Sequence, residues 1–304
     1  MNKVNEKADR QKDYQDSSEE ELLELFSSPG TDEKINSLLQ TDLSWPLRYH
    51  LSPQRQNLLN WYPFPKESSL LEVGAGCGAL TGLFCERLKS VTALELTEKR
   101  SKVIKQRFVH KENLTVLSGN IENLSVRKKF DYVVCVGVLE YAGVYISGEA
   151  PQLKFLKNLG NYLRPTGKLI LAIENRLGLK YWSGCREDHT GVGFDSITGY
   201  LGDSKIKTYG KLELNNLLKQ AKYKVLDWYY PLPDYKLPIE IFSDHFLPVR
   251  DKAFSSGVFP TKDLSMSREY FFPEDVVGGS LAKNGLFGDF ANSFLVFAQK
   301  DTDD

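Results

Sequence analysis

The stretch Leu70-Leu71-Glu72-Val73-Gly74-Ala75-Gly76-Cys77-Gly78-Ala79-Leu80-Thr81 constrains the fold more than any other. An apolar run of β character ends at an acid, passes into a glycine-dense turn and opens an amphipathic helix near Ala79. Glycine lacks Cβ, so it tolerates positive φ and lets backbone come close to a ligand. The spacing is G-x-G-x-G, with Ala79 where the dinucleotide fingerprint wants its third glycine. A carboxylate at Glu72 would repel a pyrophosphate; it suits a ligand that carries positive charge.

From Ser69 onward the pattern alternates strand and helix, as a parallel βαβ sheet requires. Strands are expected at 70–73, 90–94, 114–117, 130–136 and 168–173, with helices at 79–88, 98–108 and 152–163 and a turn at Pro165-Thr166-Gly167. A helix at 211–221, a strand at 223–230 and a last strand at 293–298 complete the series. The continuous apolar run at 130–136 reads as a central strand buried on both faces, whose carboxyl end meets the ligand crevice at Gly137 and Val138. The second strand ends at Glu95 and Leu96, and a carboxylate there can accept two hydrogen bonds from a vicinal diol.

Residues 1–18 are polar with little to bury, so disorder is expected there. Ser17-Ser18-Glu19-Glu20-Glu21 leads into Leu22, Leu23, Leu25 and Phe26 as a capped helix, and a second helix fits 31–39. Ser52 before Pro53 is an N-cap and first-turn pair for a helix to about Trp61. The domain expectation is a tail at 1–18, a helical cap at 19–66, and a catalytic domain at 67–304 with insertions at about 174–208 and 231–292.

Net charge is -1 and the pI about 6.5, so no basic surplus for bulk nucleic-acid binding is present. Cys77, Cys85, Cys135 and Cys185 lack C-x-x-C spacing and read as reduced, mostly buried thiols; no metal site is expected. There is no signal-peptide core and no apolar run near the roughly 20 residues of a membrane span, which implies a cytoplasmic protein.

Glu72-x-Gly74-x-Gly76-x-Gly78 resembles motif I of class I S-adenosylmethionine-dependent methyltransferases. The resemblance implies a Rossmann-like α/β fold, a doubly wound, mostly parallel seven-stranded sheet with an antiparallel last strand, and S-adenosyl-L-methionine as cofactor. It places Glu72, Gly74, Ala75, Gly76, Cys77 and Gly78 around the cofactor's methionine and ribose, and Glu95 with Leu96 at the ribose. Asn120 and Ile121 would meet the adenine, although the family usually has Asp where Asn120 stands; a left-handed turn residue is the other reading of Asn120.

Two further segments mix aromatics with carboxylates, amides and cations, the composition of a pocket for a polar ring. The first contains Glu174, Asn175, Arg176, Lys180, Tyr181, Glu187, Asp188 and His189; the second contains Tyr230, Asp234 and Tyr235. Loops with capping residues and surface charge remain the structural alternative. His189 is the candidate general base, with Asp188 or Glu187 as its orienter and Glu140 in reserve. His245 beside Asp244 is a second such pair, while His50 and His110 read as structural. With Tyr49 and Arg55, these segments resemble methyltransferases encoded beside glycosyltransferases of bacterial surface polysaccharides. That implies methylation of a hydroxyl on a sugar or surface-glycan precursor, with glycosyltransferases of the same pathway as possible partners and no nucleic acid. Glu72–Thr81 and Ala93-Leu94-Glu95-Leu96 also resemble ribosomal RNA adenine dimethylases, but Gly137-Val138-Leu139-Glu140 stands where that group has N-[LIV]-P-[FY]. A non-catalytic cofactor-binding scaffold is the third reading.

Overall fold

A computed structural model of the chain describes residues 18–124, 128–202, 204–248, 254, 258–263 and 267–301. The sheet begins where the glycine motif predicts. β1 (Ser69–Val73) is buried along its whole length and pairs in parallel with both β2 (Ser90–Glu95) and β4 (Phe130–Val136). β3 (Leu114–Ser118) extends the parallel run beyond β2, and β5 (Leu163–Glu174) extends it beyond β4. β8 (Ser293–Lys300) then inserts antiparallel between β5 and β6 (Tyr223–Leu232). β7 (Glu240–Ser243) pairs antiparallel with β6 at the edge. The order is β3-β2-β1-β4-β5-β8-β6-β7.

The expected seven strands are therefore eight, of mixed orientation. β7 escaped the sequence reading because Glu240-Ile241-Phe242-Ser243 is too short for an alternation to emerge. The Pro165-Thr166-Gly167 turn is also corrected. These residues lie within β5, where a register shift opposite Phe130 and Tyr132 absorbs them as a bulge.

Apolar residues cover both faces of the sheet. Leu71, Val133, Leu169 and Phe294 meet Leu156 and Leu159 of the helix Pro151–Gly160 and Leu214 and Leu218 of the helix Lys211–Gln220 on one face. Leu70, Val134, Ile170 and Leu295 meet Leu83 and Phe84 of the helix Thr81–Arg87 on the other. This two-sided burial explains why the central strands read as unbroken apolar runs.

Among the described residues, three α-helices stand ahead of β1: Glu19–Ser27, Thr31–Leu39 and Trp45–Leu51. Leu22, Leu25, Leu47 and Leu51 pack with Cys77 and Val103, which brings this cap against the glycine loop. The disorder expected for 1–18 falls outside the described residues except at Ser18, which is buried beside the first helix. The helix expected after Ser52 is instead a 3₁₀ segment, Pro53–Leu58. Gln54, Arg55 and Asn57 there donate to the carbonyls of Leu237, Tyr235 and Pro238, and these distant bonds set the local geometry. Among the described residues no helix is long and apolar enough to cross a membrane. All four cysteines are free and buried.

One buried ion pair fastens the cap. Arg100, on the helix Glu98–Arg107, donates from Nε to Glu19 Oε1 at 2.9 Å, and both side chains are buried. Arg100→Ala is expected to cost about 3–5 kcal/mol, because it removes the guanidinium that neutralises the buried Glu19 carboxylate. Urea unfolding measures this; a loss under about 1 kcal/mol would mean that the cap is held by its leucines alone.

Candidate active site

The loop after β1 turns back on itself through Gly74, Gly76 and Gly78, at φ +75°, +58° and +82°. At Gly74 the preference for glycine is strongest of the three, since a Cβ would lie 2.3 Å from Val138 Cγ2. The loop forms one wall of a cavity of about 350 Å³ at the carboxyl edge of the sheet. Glu95, at the end of β2, also lines it; Oε2 accepts from the Gly76 amide at 2.9 Å and Oε1 from the Thr97 amide at 3.1 Å. Burial raises the Glu95 carboxyl above its ordinary range.

A smaller apolar annex of about 60 Å³ opens beside the loop, between Leu94, Ile121, Val138, Tyr141 and Phe155. It shares Gly74, Leu96, Val138, Tyr141 and Tyr145 with the main cavity. Asn120 stands at its rim in extended backbone with φ -86°, so the left-handed reading is wrong. Its amide is held at both ends, donating to the Tyr145 carbonyl at 2.7 Å and accepting from the Glu122 amide at 2.9 Å.

The opposite end of the cavity is built by Glu140 after β4, Glu174 at the end of β5, Asp188 and His189 in the following loop, and Tyr235 and Lys236 after β6. His189 Nδ1 meets Glu187 Oε1 at 2.9 Å, and its Nε2 lies 3.9 Å from Glu140 Oε1. Glu187 is itself locked by the His189 and Thr190 amides and by the Tyr200 hydroxyl. Burial alone would lower the imidazole, but the carboxylates of Glu174, Glu187 and Glu140 outweigh it and raise His189 to about 9. Burial, reinforced by Glu174, pushes Glu140 up to about 8. Neither Glu140 oxygen takes a donor from another residue, and Glu174 Oε2 has no hydrogen-bond partner either.

Several expected roles change. Asp188 does not orient His189: it binds Lys180 and Lys236, each at 2.7 Å, and despite burial these two ammonium groups hold it well below the carboxylate range. Glu187 takes the orienting place. Arg176 pairs with Glu213, Asn175 donates to the Asp289 and Ala291 carbonyls, and Tyr230 bonds Lys211 and Asp244; none of the three lines the cavity. Tyr181 is buried away from it. Arg55, Lys180 and Asp234 act behind the wall: Arg55 holds the Tyr235 and Lys236 carbonyls and the Tyr49 hydroxyl, while Lys180 lies between Asp188 and Asp234. Tyr49, Glu174 and Tyr235 do line the cavity.

On the loop side, Cys77 is packed among the cap leucines and Gly78 against Phe108, so neither lines the cavity. Glu72 and Ala75 face a separate void of about 30 Å³ beneath the loop. Burial pushes Glu72 up to about 8 even though the Thr81 hydroxyl donates to it at 2.6 Å. Sequence reasoning missed Trp45, Pro46, Tyr141, Tyr145 and Lys236 in the lining, and His50, read as structural, belongs to it as well. The only signal for the first pair was an aromatic-proline step just ahead of the sheet. His245 is exposed and 3.6 Å from Asp227, far in role from a buried base.

Residues 71–171 match the family model described as a methyltransferase domain. That match covers about a third of the chain. The cavity has a glycine cradle that a Cβ would fill, a carboxylate at the end of β2 and an apolar annex beside the loop, features that fit a nucleoside cofactor. Among relatives, the chain is 25% identical over 124 residues to a malonyl-[acyl-carrier protein] O-methyltransferase of Priestia megaterium. It is 30% identical over 86 residues to ribosomal RNA small subunit methyltransferase A of Syntrophus aciditrophicus. These stretches cover 40% and 28% of this chain, and only 42% and 29% of the two relatives. A solved S-adenosylmethionine-dependent methyltransferase from Clostridium acetobutylicum aligns with a TM-score of 0.47 and 12% identity, over 88% of this chain and 97% of that one.

Proposed function

We propose that the protein moves a methyl group from S-adenosylmethionine to a polar acceptor on a sugar or surface-glycan precursor, and that His189 receives the acceptor's proton. The observation that carries this reading is one cavity with two chemically distinct ends: the glycine loop and Glu95 at one, the Glu187–His189 pair with Glu140 and Glu174 at the other. The cofactor supplies an electrophilic methyl group on a positively charged sulfur. Gly74, Gly76, Glu95 and Leu96 would hold it, with Asn120, Ile121 and Val138 at the base.

What remains for the chain is positioning and proton removal. Holding two reactants in line is worth up to about 7–11 kcal/mol of barrier. Glu187 fixes the imidazole so that Nε2 faces the cavity, as a proton acceptor requires. Tyr49, Tyr141 and Tyr235 offer ring faces to a sugar, and Lys236, Asp188 and Glu174 offer polar contacts. The sugar assignment rests on this composition and on the polysaccharide-cluster resemblance, which also suggests glycosyltransferases as partners. A ribosomal RNA acceptor is disfavoured by Gly137-Val138-Leu139-Glu140 and by the net charge of -1.

Calorimetry with S-adenosylhomocysteine followed by incubation with labelled cofactor tests the proposal. The expected results are saturable heat and label in a glycan-precursor pool. Label in ribosomal RNA, or heat without any transfer, would replace it with an RNA enzyme or a binding scaffold.

A further inference from the structure

We propose that the acceptor end of the cavity binds a protonated primary amine, so that the methyl acceptor is an amino group such as that of an amino sugar. This rests on the methyltransferase reading above and narrows its substrate class.

The argument is an inventory of hydrogen-bond acceptors. Asp188 is satisfied by Lys180 and Lys236, and Glu187 by His189, Thr190 and Tyr200. Glu174 Oε1 is taken by Lys236 at 2.5 Å and by the Tyr235 hydroxyl at 3.1 Å. Three buried carboxylate oxygens remain without a donor from another residue: both of Glu140 and Oε2 of Glu174. Glu140 is 1% exposed and Glu174 0%, and both line the cavity. Buried acceptors left in this state are costly, so the arrangement is complementary to something that brings donors and positive charge. An alkylammonium brings three N–H donors and one charge, whereas a hydroxyl brings one donor and none.

This cluster adjoins the expected cofactor wall at Val138 and extends away from it. The glycine loop follows β1 and Glu95 ends β2, while Glu140 follows β4 and Glu174 ends β5, on the other half of the sheet edge. Ligand atoms of Glu140, Glu174 and His189 lie within 4.8 Å of one another, a span that one nitrogen with hydrogen bonds of about 2.8 Å can bridge. Tyr49, Tyr141 and Tyr235 line the same cavity, and ring faces attract an organic cation. A divalent metal ion is the competing occupant. The Lys236 ammonium already on Glu174 repels a dication about twice as strongly as a monocation, and the ring faces give a metal no ligand. In its neutral form His189 Nε2 would take the proton that must leave nitrogen, and the freed lone pair would form the N–CH3 bond as the C–S bond breaks and S-adenosylhomocysteine leaves.

The test is calorimetry on the full chain saturated with S-adenosylhomocysteine, titrated separately with D-glucosamine, D-glucose and Mn²⁺ at neutral pH. Glucosamine should bind at least tenfold more tightly than glucose, and Glu140→Gln should abolish the preference while S-adenosylhomocysteine affinity stays within threefold. Equal affinities, heat from neither sugar, or Mn²⁺ binding that disappears in Glu140→Gln would overturn the proposal. So would a tenfold loss of S-adenosylhomocysteine affinity in Glu140→Gln, which would assign the carboxylate to the cofactor's own amino group. Absence of S-adenosylhomocysteine binding in the unmodified protein sinks the methyltransferase reading instead.

Discussion

Replacing His189 with alanine is expected to lower turnover about 10²–10⁴-fold, the usual worth of a positioned proton acceptor, while S-adenosylhomocysteine still binds normally. The imidazole is oriented by Glu187 and faces Glu140, so its loss removes a proton acceptor and leaves the glycine cradle untouched. The sign of the pH dependence follows from its environment. Carboxylates raise His189 from 6.5 to about 9, so the charged form contributes stability that is full below about 6.5 and lost as pH passes 9. Only the neutral form accepts a proton, so kcat/KM should climb as pH rises toward about 9, opposite in direction to this stability contribution. In His189→Gln that limb should flatten. If cofactor affinity falls instead and turnover per bound complex holds, His189 is part of the wall and not the proton acceptor.

Gly74→Ala should weaken S-adenosylhomocysteine binding at least tenfold, about 1.4 kcal/mol or more. Two costs add at this position. An alanine at φ +75° carries backbone strain of about 1–3 kcal/mol, and its Cβ would sit 2.3 Å from Val138 Cγ2. Val138 lines both the main cavity and its annex, so displacing it deforms the site on two sides. Gly148→Ala is the control: φ is +94° there, yet a Cβ would meet nothing within 4 Å and the residue does not line the cavity or its annex. The Gly74→Ala, Val138→Ala double variant should recover part of the loss. Wild-type affinity in Gly74→Ala, measured by calorimetry, would show that the loop does not cradle the cofactor.

The cofactor half was legible because its signals are local. Gly74, Gly76 and Gly78 announce a turn that only glycine makes cheaply, and Glu95 is found by counting from it. Burial on both faces made strands such as Phe130–Val136 readable to the residue. The acceptor half was half legible. His189 and Glu187 drew notice as neighbours in the chain, but the choice between Glu187 and Asp188 depended on where Lys180 and Lys236 came to rest. Tyr230, Asn175 and Arg176 had the right composition for a binding pocket and serve the frame instead.

Backbone conformation and strand burial depend on residues close in sequence, so fold type and the glycine turn could be deduced from the chain alone. Side-chain partnership between Glu140, Glu174, His189 and Lys236 spans four chain segments, and no local pattern encodes it. Their charges and their unmet hydrogen bonds exist only once β4, β5 and the loop after β6 converge on one cavity. Low dielectric then turns that proximity into shifted protonation of Glu140 and His189.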